Sequence, residues 1–129
     1  MSGKASKINI DIVSDLVCPW CVIGFLNIRS CIESMGERYA VNFRWRPFEL
    51  NPNISANGLE LQEFFFKKNF TRNQLNLQQE TWMDAARGLS FNFEFYSGMR
   101  IRNTFRAHKL VFWSKDFGLQ TEFSLALFE

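Results

Sequence analysis

The sequence predicts an α/β fold in which a strand–helix–strand unit is followed by a mainly helical region. Apolar and polar residues alternate over residues 7–13 and again over residues 39–46, and such alternation is typical of half-buried strands. Between these two segments, apolar residues recur at helical spacing from Val22 to Met35. Because a helix that joins two strands of one sheet normally makes a right-handed crossover, we expect the two strands to be parallel.

The helix of this unit is predicted to begin at Pro19 and to end at Gly36. Proline fits the first turn of a helix, where its missing N–H is not needed, and glycine is common just past a helix end. Gly24 lies inside the helix at a cost of about 1 kcal/mol relative to alanine, so we expect it to mark close backbone packing. The apolar positions of the helix are Val22, Ile23, Leu26, Ile28, Ile32 and Met35.

A loop and two helices are predicted after the second strand. Residues 49–58 contain the turn signals Asn-Pro and Asn-Gly, which favour a loop between two structural regions. A short helix is expected over residues 61–68. Thr71 and Gln74 then form a capping box, which indicates the start of a helix that Gly88 can end.

The remaining segment is predicted to contain two more helices. Residues 90–97 place Phe at nearly every second position, a pattern that fits either a strand or an extended segment packed on the helices. Asn103 or Thr104 can cap a helix that runs to about Phe117, and Thr121 can cap another.

Composition and charge set limits on the class of protein. The chain has 129 residues, 47% of them apolar and 15 of them Phe, which is enough for one globular domain with aromatic packing faces. A net charge of +2 gives no reason to propose nucleic acid or a membrane surface as a partner. No stretch resembles a signal peptide or a membrane span, so a cytoplasmic location is expected.

The stretch "DLVCPWCVIGF" carries the chemistry of the sequence, because it places two cysteines at the predicted strand-to-helix junction. Cys18 falls in the first turn, where free N–H groups and the helix dipole favour a thiolate. Cysteines in such positions can have pKa values of roughly 3.5–7.5 instead of about 8.5. Cys21 follows one helical turn later, so the two sulfurs can approach each other and form a reversible disulfide.

Thiol–disulfide exchange is the reaction that this pair predicts, with Cys18 attacking a substrate sulfur and Cys21 resolving the mixed disulfide. Pro19 and Trp20 lie between the cysteines and are expected to tune the redox potential. A zinc site is disfavoured because Cys31 and His108 are the only further Cys and His residues and lie far from the pair in sequence. A pair of buried structural thiols is the other alternative, and Cys31 itself is expected to be a small core residue.

Three segments together resemble the DsbA-like family of the thioredoxin superfamily, and within it the FrnE-type branch. They are "SDLVCPWCVIG" at residues 14–24, "WRPFELNP" at 45–52 and "NTFRAHKL" at 103–110. The resemblance implies a thioredoxin-like fold interrupted by an α-helical insertion, with Cys18 as the attacking and Cys21 as the resolving cysteine. Related 2-hydroxychromene-2-carboxylate isomerases often carry serine in place of the first cysteine, so Cys18 points toward an oxidoreductase.

The resemblance also implies a division of the chain. Residues 1–50 correspond to the N-terminal half of a thioredoxin-like domain, and residues 51–129 to the helical insertion subdomain, which looks truncated. Family members then add two strands and a helix, with a cis-proline beside the active site, whereas the last proline of this chain is Pro52. We therefore expect the C-terminal ββα part to be absent, which leaves an unpaired edge on the first strand and favours a homo-oligomer or a strand-swapped dimer.

Three residues outside the cysteine motif are candidates for substrate binding. Phe48, together with Trp20, could line an apolar groove for a peptide or a small disulfide. His108 lies on an apolar helix stripe and is expected to be a partly buried structural histidine. The resemblance of the segment around Asn103 and His108 to the family implies a supporting role for one of them near the site.

The sequence therefore predicts a dithiol–disulfide oxidoreductase that needs no metal or organic cofactor and uses a protein or small-molecule disulfide or thiol as substrate. Glutathione is the candidate thiol co-substrate. Two alternatives stay open: a glutathione-dependent isomerase or transferase, in which replacing Cys18 by Ser would leave activity intact, and a non-catalytic binding module.

Overall fold

The chain folds into two small sheets and five helices in a computed structural model that describes residues 3–129, and the predicted α/β class is confirmed. Short 3-10 turns follow the first and fourth helices, at Gly36–Arg38 and Lys115–Phe117. The elements in chain order are β1 (Ser6–Ser14), α1 (Pro19–Ser34), β2 (Tyr39–Pro47), β3 (Leu59–Glu60), α2 (Leu61–Lys67), α3 (Arg72–Ala85), β4 (Arg100–Ile101), α4 (Phe105–Ser114) and α5 (Gln120–Phe128).

The predicted strand–helix–strand unit is confirmed. β1 and β2 are parallel, with Ser6 opposite Tyr39 and Ser14 opposite Pro47, and α1 connects them. Burial alternates along β2 and ends at Trp45, which is buried, because its apolar side chains face α1 while its polar ones face solvent. Within residues 3–129, β1 pairs with β2 alone.

Only the first half of α1 is buried. Its buried residues end at Leu26, while Ile28 and Met35 are 41% and 42% exposed. The expectation of close backbone packing at Gly24 is wrong, because no neighbouring atom lies within 4 Å of the position that a Cβ would take there. Cys31 is exposed, so its predicted place in the core is wrong as well.

Two clusters of buried side chains form the core. One joins the first half of α1 to Trp45 of β2 and Val111 of α4, and the other joins Ile23 of α1 to Trp82 of α3. Phe93 packs against both clusters. Residues 91–95 therefore form an extended segment packed on the helices, which settles the alternative that the sequence leaves open.

One predicted helix cap is confirmed and another is wrong. Thr71 and Gln74 make both hydrogen bonds of the predicted capping box at the start of α3. Thr121 lies inside α5 instead of capping it, and its hydroxyl accepts a hydrogen bond from the Trp45 indole N–H at 2.9 Å. Next to it, the buried Gln120 side chain accepts from the Trp45 backbone N–H at 3.1 Å, so α5 is fastened to β2.

β3 and β4 form a short antiparallel pair beside α2. The predicted Asn57-Gly58 turn precedes it, and Gly58 has φ +75°. A Cβ at this position would collide with the carbonyl oxygen of Ile101, so glycine is required both by the backbone angle and by the close approach of β4.

Candidate active site

The two cysteines lie where β1 ends and α1 begins, at a turn formed by residues 14–18 that we call the active-site turn. Cys18 is the N-cap residue with an extended backbone, and Pro19 occupies the first helical position, where no N–H is required. The backbone N–H of Cys18 donates to the Asp15 carbonyl oxygen at 3.1 Å, and that of Cys21 donates to the Cys18 carbonyl oxygen at 3.0 Å. The turn therefore fixes both cysteines at the start of the helix, as predicted.

The thiols of Cys18 and Cys21, which we call the dithiol, are both free and partly buried. A hydrogen bond from the Cys18 thiol lowers the pKa of Cys21 to about 6, against the opposing effect of burial. The same hydrogen bond, together with burial, raises the pKa of Cys18. The pair thus releases one proton easily and holds the second strongly.

The lower pKa of the dithiol belongs to Cys21, whereas the sequence predicts a thiolate on Cys18. Backbone N–H groups of Cys21 and Trp20 at the helix N-terminus favour a thiolate on Cys18. The backbone N–H of Asp15 and the hydroxyl of Ser14 favour a thiolate on Cys21. Both sulfurs therefore have donors that stabilise a thiolate.

Two residues of the active-site turn, Ser14 and Asp15, have buried polar side chains. Ser14 is 4% exposed, its hydroxyl has no hydrogen-bond partner among the described residues, and it helps to lower the pKa of Cys21. Asp15 is 1% exposed, and its carboxylate accepts from the Leu50 N–H at 2.8 Å and lies 3.1 Å from His108 Nε2. Neither residue is predicted from the sequence to belong to the site, although polar side chains at the end of an apolar strand, directly before a cysteine pair, are a signal that could identify them.

The structure brings His108 close to the active-site turn from 93 residues away in sequence. Its side chain is buried, as the stripe on α4 predicts, and its Nε2 faces Asp15 rather than solvent. Asn103 lies just before Thr104, the N-cap residue of α4; its side chain accepts from the Phe105 N–H at 3.0 Å, and its amide donates to the Ile54 carbonyl oxygen at 2.8 Å. Substrate binding by these two residues stays a prediction.

An apolar surface lies beside the dithiol. Trp20 is 49% exposed and Phe48 is 52% exposed. The Phe48 N–H donates to the Ser14 carbonyl oxygen at 3.1 Å, which holds the segment after β2 against the active-site turn. These side chains are therefore available to a substrate, and their use for binding stays a prediction.

No group of three or more His, Cys, Asp or Glu side chains is arranged to hold a metal ion in the described part of the chain. None of the helices within residues 3–129 is both long enough and apolar enough to cross a membrane.

Comparison with known proteins is consistent with this geometry. Residues 9–129 match the DSBA-like thioredoxin domain. The fold is similar to that of a probable DsbA oxidoreductase from Streptomyces coelicolor, with a TM-score of 0.83 and 21% sequence identity, over 93% of this chain and 52% of that one. A search of curated proteins finds no match.

The chain thus spans about half the length of the solved structure that it resembles. The predicted thioredoxin-like fold is confirmed, while the FrnE-type branch stays a prediction. On the match of residues 9–129, which is most of its length, the chain belongs to the family of DSBA-like thioredoxin domains.

Proposed function

We propose that this chain is a dithiol–disulfide oxidoreductase that works by thiol–disulfide exchange at Cys18 and Cys21. The observation that carries the proposal is the pair of free, partly buried thiols at the N-terminus of α1, where the Cys18 thiol lowers the pKa of Cys21 to about 6. A pair that loses one proton near neutral pH always offers a nucleophilic sulfur. Membership of the DSBA-like family supports the same reaction class.

The reaction requires no partner beyond a substrate disulfide. The Cys18 thiolate attacks one sulfur of that disulfide, a bond forms between the two sulfurs, and the other substrate sulfur leaves as a thiolate that takes up a proton. The Cys21 thiolate then attacks the Cys18 sulfur, forms the Cys18–Cys21 disulfide and releases the second substrate thiolate. Two electrons pass from the dithiol to the substrate, and the reverse sequence oxidises a substrate dithiol.

Transfer of the remaining proton between the two sulfurs lets the two cysteines take different roles. When this proton resides on Cys21, Cys18 is free to attack; once Cys18 is bonded to substrate, loss of that proton makes Cys21 the nucleophile. Cys18 is the N-cap residue, outside the helix and next to the exposed Trp20. Cys21 lies within the helix, with the buried Ser14 hydroxyl stabilising its thiolate. Cys18 is therefore assigned as the attacking residue and Cys21 as the resolving one.

The apolar side chains of Trp20 and Phe48 suit a substrate that presents an apolar face beside its disulfide, as an unfolded polypeptide does. Glutathione is proposed as the thiol that returns the pair to its reduced state. A cytoplasmic location fits this assignment, because glutathione is the main thiol of that compartment. Neither assignment requires a metal or an organic cofactor.

Self-association is the proposed partner interaction. Among the described residues, the edge of β1 that faces away from β2 carries no strand. An open strand edge is a template for pairing with a second chain. Sedimentation over a range of protein concentrations would detect the dimer, and a monomer at all concentrations would contradict it.

Trapping the mixed disulfide tests the exchange mechanism. Reduced protein is mixed with a peptide that contains one disulfide, and the products are identified by mass spectrometry after acid quenching. We expect the wild-type chain to end as the Cys18–Cys21 disulfide and Cys21→Ala to stop at a mixed disulfide on Cys18. Cys18→Ala should form neither product at the wild-type rate.

Cys31→Ala is the matched control, because Cys31 is exposed and lies at the other end of the same helix. It should react as the wild-type chain does. Equal reaction rates for Cys18→Ala and the wild-type chain would contradict the proposal. A Cys18→Ser variant that keeps a glutathione-dependent isomerase activity would favour the alternative function instead.

A further inference from the structure

The buried carboxylate of Asp15 is a charged group that takes no part in the proposed exchange steps. Asp15 is 1% exposed, and a carboxylate buried to this degree is costly unless hydrogen bonds compensate its charge. The Leu50 N–H and His108 Nε2 supply that compensation, at 2.8 Å and 3.1 Å. The Asp15 side chain thus connects the active-site turn to the segment after β2 and to α4.

The backbone of the same residue contacts the dithiol. The Asp15 carbonyl oxygen accepts the Cys18 N–H at 3.1 Å, and the Asp15 N–H favours the thiolate of Cys21. One residue therefore touches both cysteines through its backbone and His108 through its side chain. His108 of α4 can therefore influence the two sulfurs through Asp15 without contacting them.

The Asp15 backbone N–H lowers the pKa of Cys21, whereas the negative charge of the Asp15 side chain raises it. Burial raises the pKa of the Asp15 carboxyl, but hydrogen bonds with His108, Leu50 N–H and Thr104 outweigh burial and hold that pKa below its usual value. The carboxylate is therefore ionised at neutral pH, and its negative charge disfavours a thiolate on Cys21. His108, the only histidine of the chain, faces this charge.

We propose that Asp15 is a positioning residue that sets the proton affinity of the dithiol, and that His108 acts on the two sulfurs through Asp15. The catalytic relevance of this role rests on the proposed oxidoreductase function. A thiolate that is less stable is a poorer leaving group, so the Asp15 charge makes the Cys18–Cys21 disulfide a weaker oxidant. The hydrogen bond to His108 limits that effect by compensating the charge.

Other charged side chains near His108 lie farther out. Arg46, Glu49 and Lys109 line the cavities that His108 borders, and Arg46 and Lys109 are exposed. Among the described residues, only Asp15 makes a hydrogen bond or ion pair with the His108 ring. Lys109, on the same helix as His108, is therefore a suitable control position.

A double-mutant cycle with a thiol-specific readout tests the proposal. The pH dependence of iodoacetamide alkylation of Cys18 and Cys21 is measured for the wild-type chain, Asp15→Asn, His108→Leu, the double variant and Lys109→Gln. Asn keeps an oxygen for the Leu50 N–H but lacks the charge, so the midpoint of the first ionisation should fall, by on the order of 1 pH unit. His108→Leu leaves the carboxylate less compensated and should raise that midpoint.

Coupling through Asp15 has a distinct signature in the double variant. The midpoint of the double variant should equal that of Asp15→Asn, because His108 has no charge left to compensate. Lys109→Gln should leave the midpoint unchanged. The proposal is overturned if Asp15→Asn leaves the midpoint unchanged or raises it, or if the His108→Leu shift persists in the Asp15→Asn background.

Two further points keep the test decisive. Far-UV circular dichroism checks that each variant is folded; if Asp15→Asn is not, an upward shift in His108→Leu supports the proposal and an unchanged midpoint overturns it. Alkylation does not depend on exchange activity. Midpoint shifts in a wild-type chain that fails the disulfide-trapping experiment would therefore support the role of Asp15 and contradict the proposed function alone.

Discussion

The two ends of α1 differ more than their sequences suggest. At the N-terminal end, Cys18 and Cys21 are partly buried, hydrogen-bonded to each other and preceded by the buried residues Ser14 and Asp15. At the C-terminal end, Cys31 is exposed, and its carbonyl oxygen accepts the Ser34 hydroxyl at 2.6 Å. One helix thus carries three cysteines in two environments.

The difference shows that the helix alone does not produce a thiol pair with a lowered pKa. The N-terminus supplies free N–H groups, but the buried layer beneath it comes from other elements: Ser14 and Asp15 at the end of β1 and His108 of α4. The Leu50 N–H, after β2, donates to the Asp15 carboxylate. No comparable layer covers the second half of α1, where Ile28 is 41% exposed. The chemistry of the site therefore depends on tertiary contacts confined to one end of the helix.

The largest effect should come from removing buried contacts of the first half of α1. Leu26→Ala deletes a side chain that is 3% exposed, so we expect the free energy of unfolding to fall by about 2–5 kcal/mol. Ile28→Ala, two residues later on the exposed half, should cost less than about 1 kcal/mol. Urea denaturation followed by circular dichroism measures both, and equal losses would contradict the division of the helix.

The change in the free energy of unfolding with pH near neutrality should come from the dithiol at the N-terminal end of α1. Because the pKa of Cys21 is lowered to about 6 in the folded chain, the unfolded chain binds more protons between pH 6 and the ordinary thiol pKa of about 8.5. Stability of the reduced protein should therefore rise with pH across this window, by at most about 1.4 kcal/mol per pH unit, and this gain is lost as the pH falls through 6.

Two cysteine variants isolate this contribution. Cys18→Ala removes the donor that lowers the pKa of Cys21, so the rise of stability with pH should become shallower. Cys31→Ala should keep the wild-type slope. Equal slopes for the two variants, in urea unfolding at a series of pH values, would contradict this origin of the pH dependence.

The smallest effect concerns two glycines of the α1 region. Gly24 is helical, and no atom lies within 4 Å of the place that an alanine methyl group would occupy, so Gly24→Ala should raise the free energy of unfolding by about 1 kcal/mol. Gly36, just after α1, has φ +63°, and Gly36→Ala should lower it by about 1–2 kcal/mol. Opposite signs are the prediction, and thermal unfolding of both variants tests it.

Local sequence signals predict the parts of the fold that depend on neighbouring residues. The alternation in β1 and β2, the proline at the start of α1 and the Thr71 capping box need only residues close in sequence, and all three are confirmed. The position of the cysteine pair at the helix N-terminus follows from the same local signals.

Contacts between distant segments cannot be predicted in this way. The Asp15–His108 hydrogen bond joins residues 93 apart, and Gln120 reaches the Trp45 backbone from 75 residues away. Helical periodicity predicts which face of α1 is apolar, but it does not say how far along the helix another element covers that face. Cys31 is expected in the core because cysteine is commonly buried, whereas the structure leaves it at the surface.

Site-resolved alkylation of the reduced wild-type chain, compared with the same chain in urea, tests the central claim most directly. The folded dithiol should lose its first proton near pH 6, and the unfolded cysteines near pH 8.5. At pH 6 the folded pair should then react roughly tenfold faster, after allowing for the lower nucleophilicity of a more stable thiolate. Equal midpoints in the folded and unfolded chains would contradict this claim, because the fold would then not lower the pKa of the dithiol.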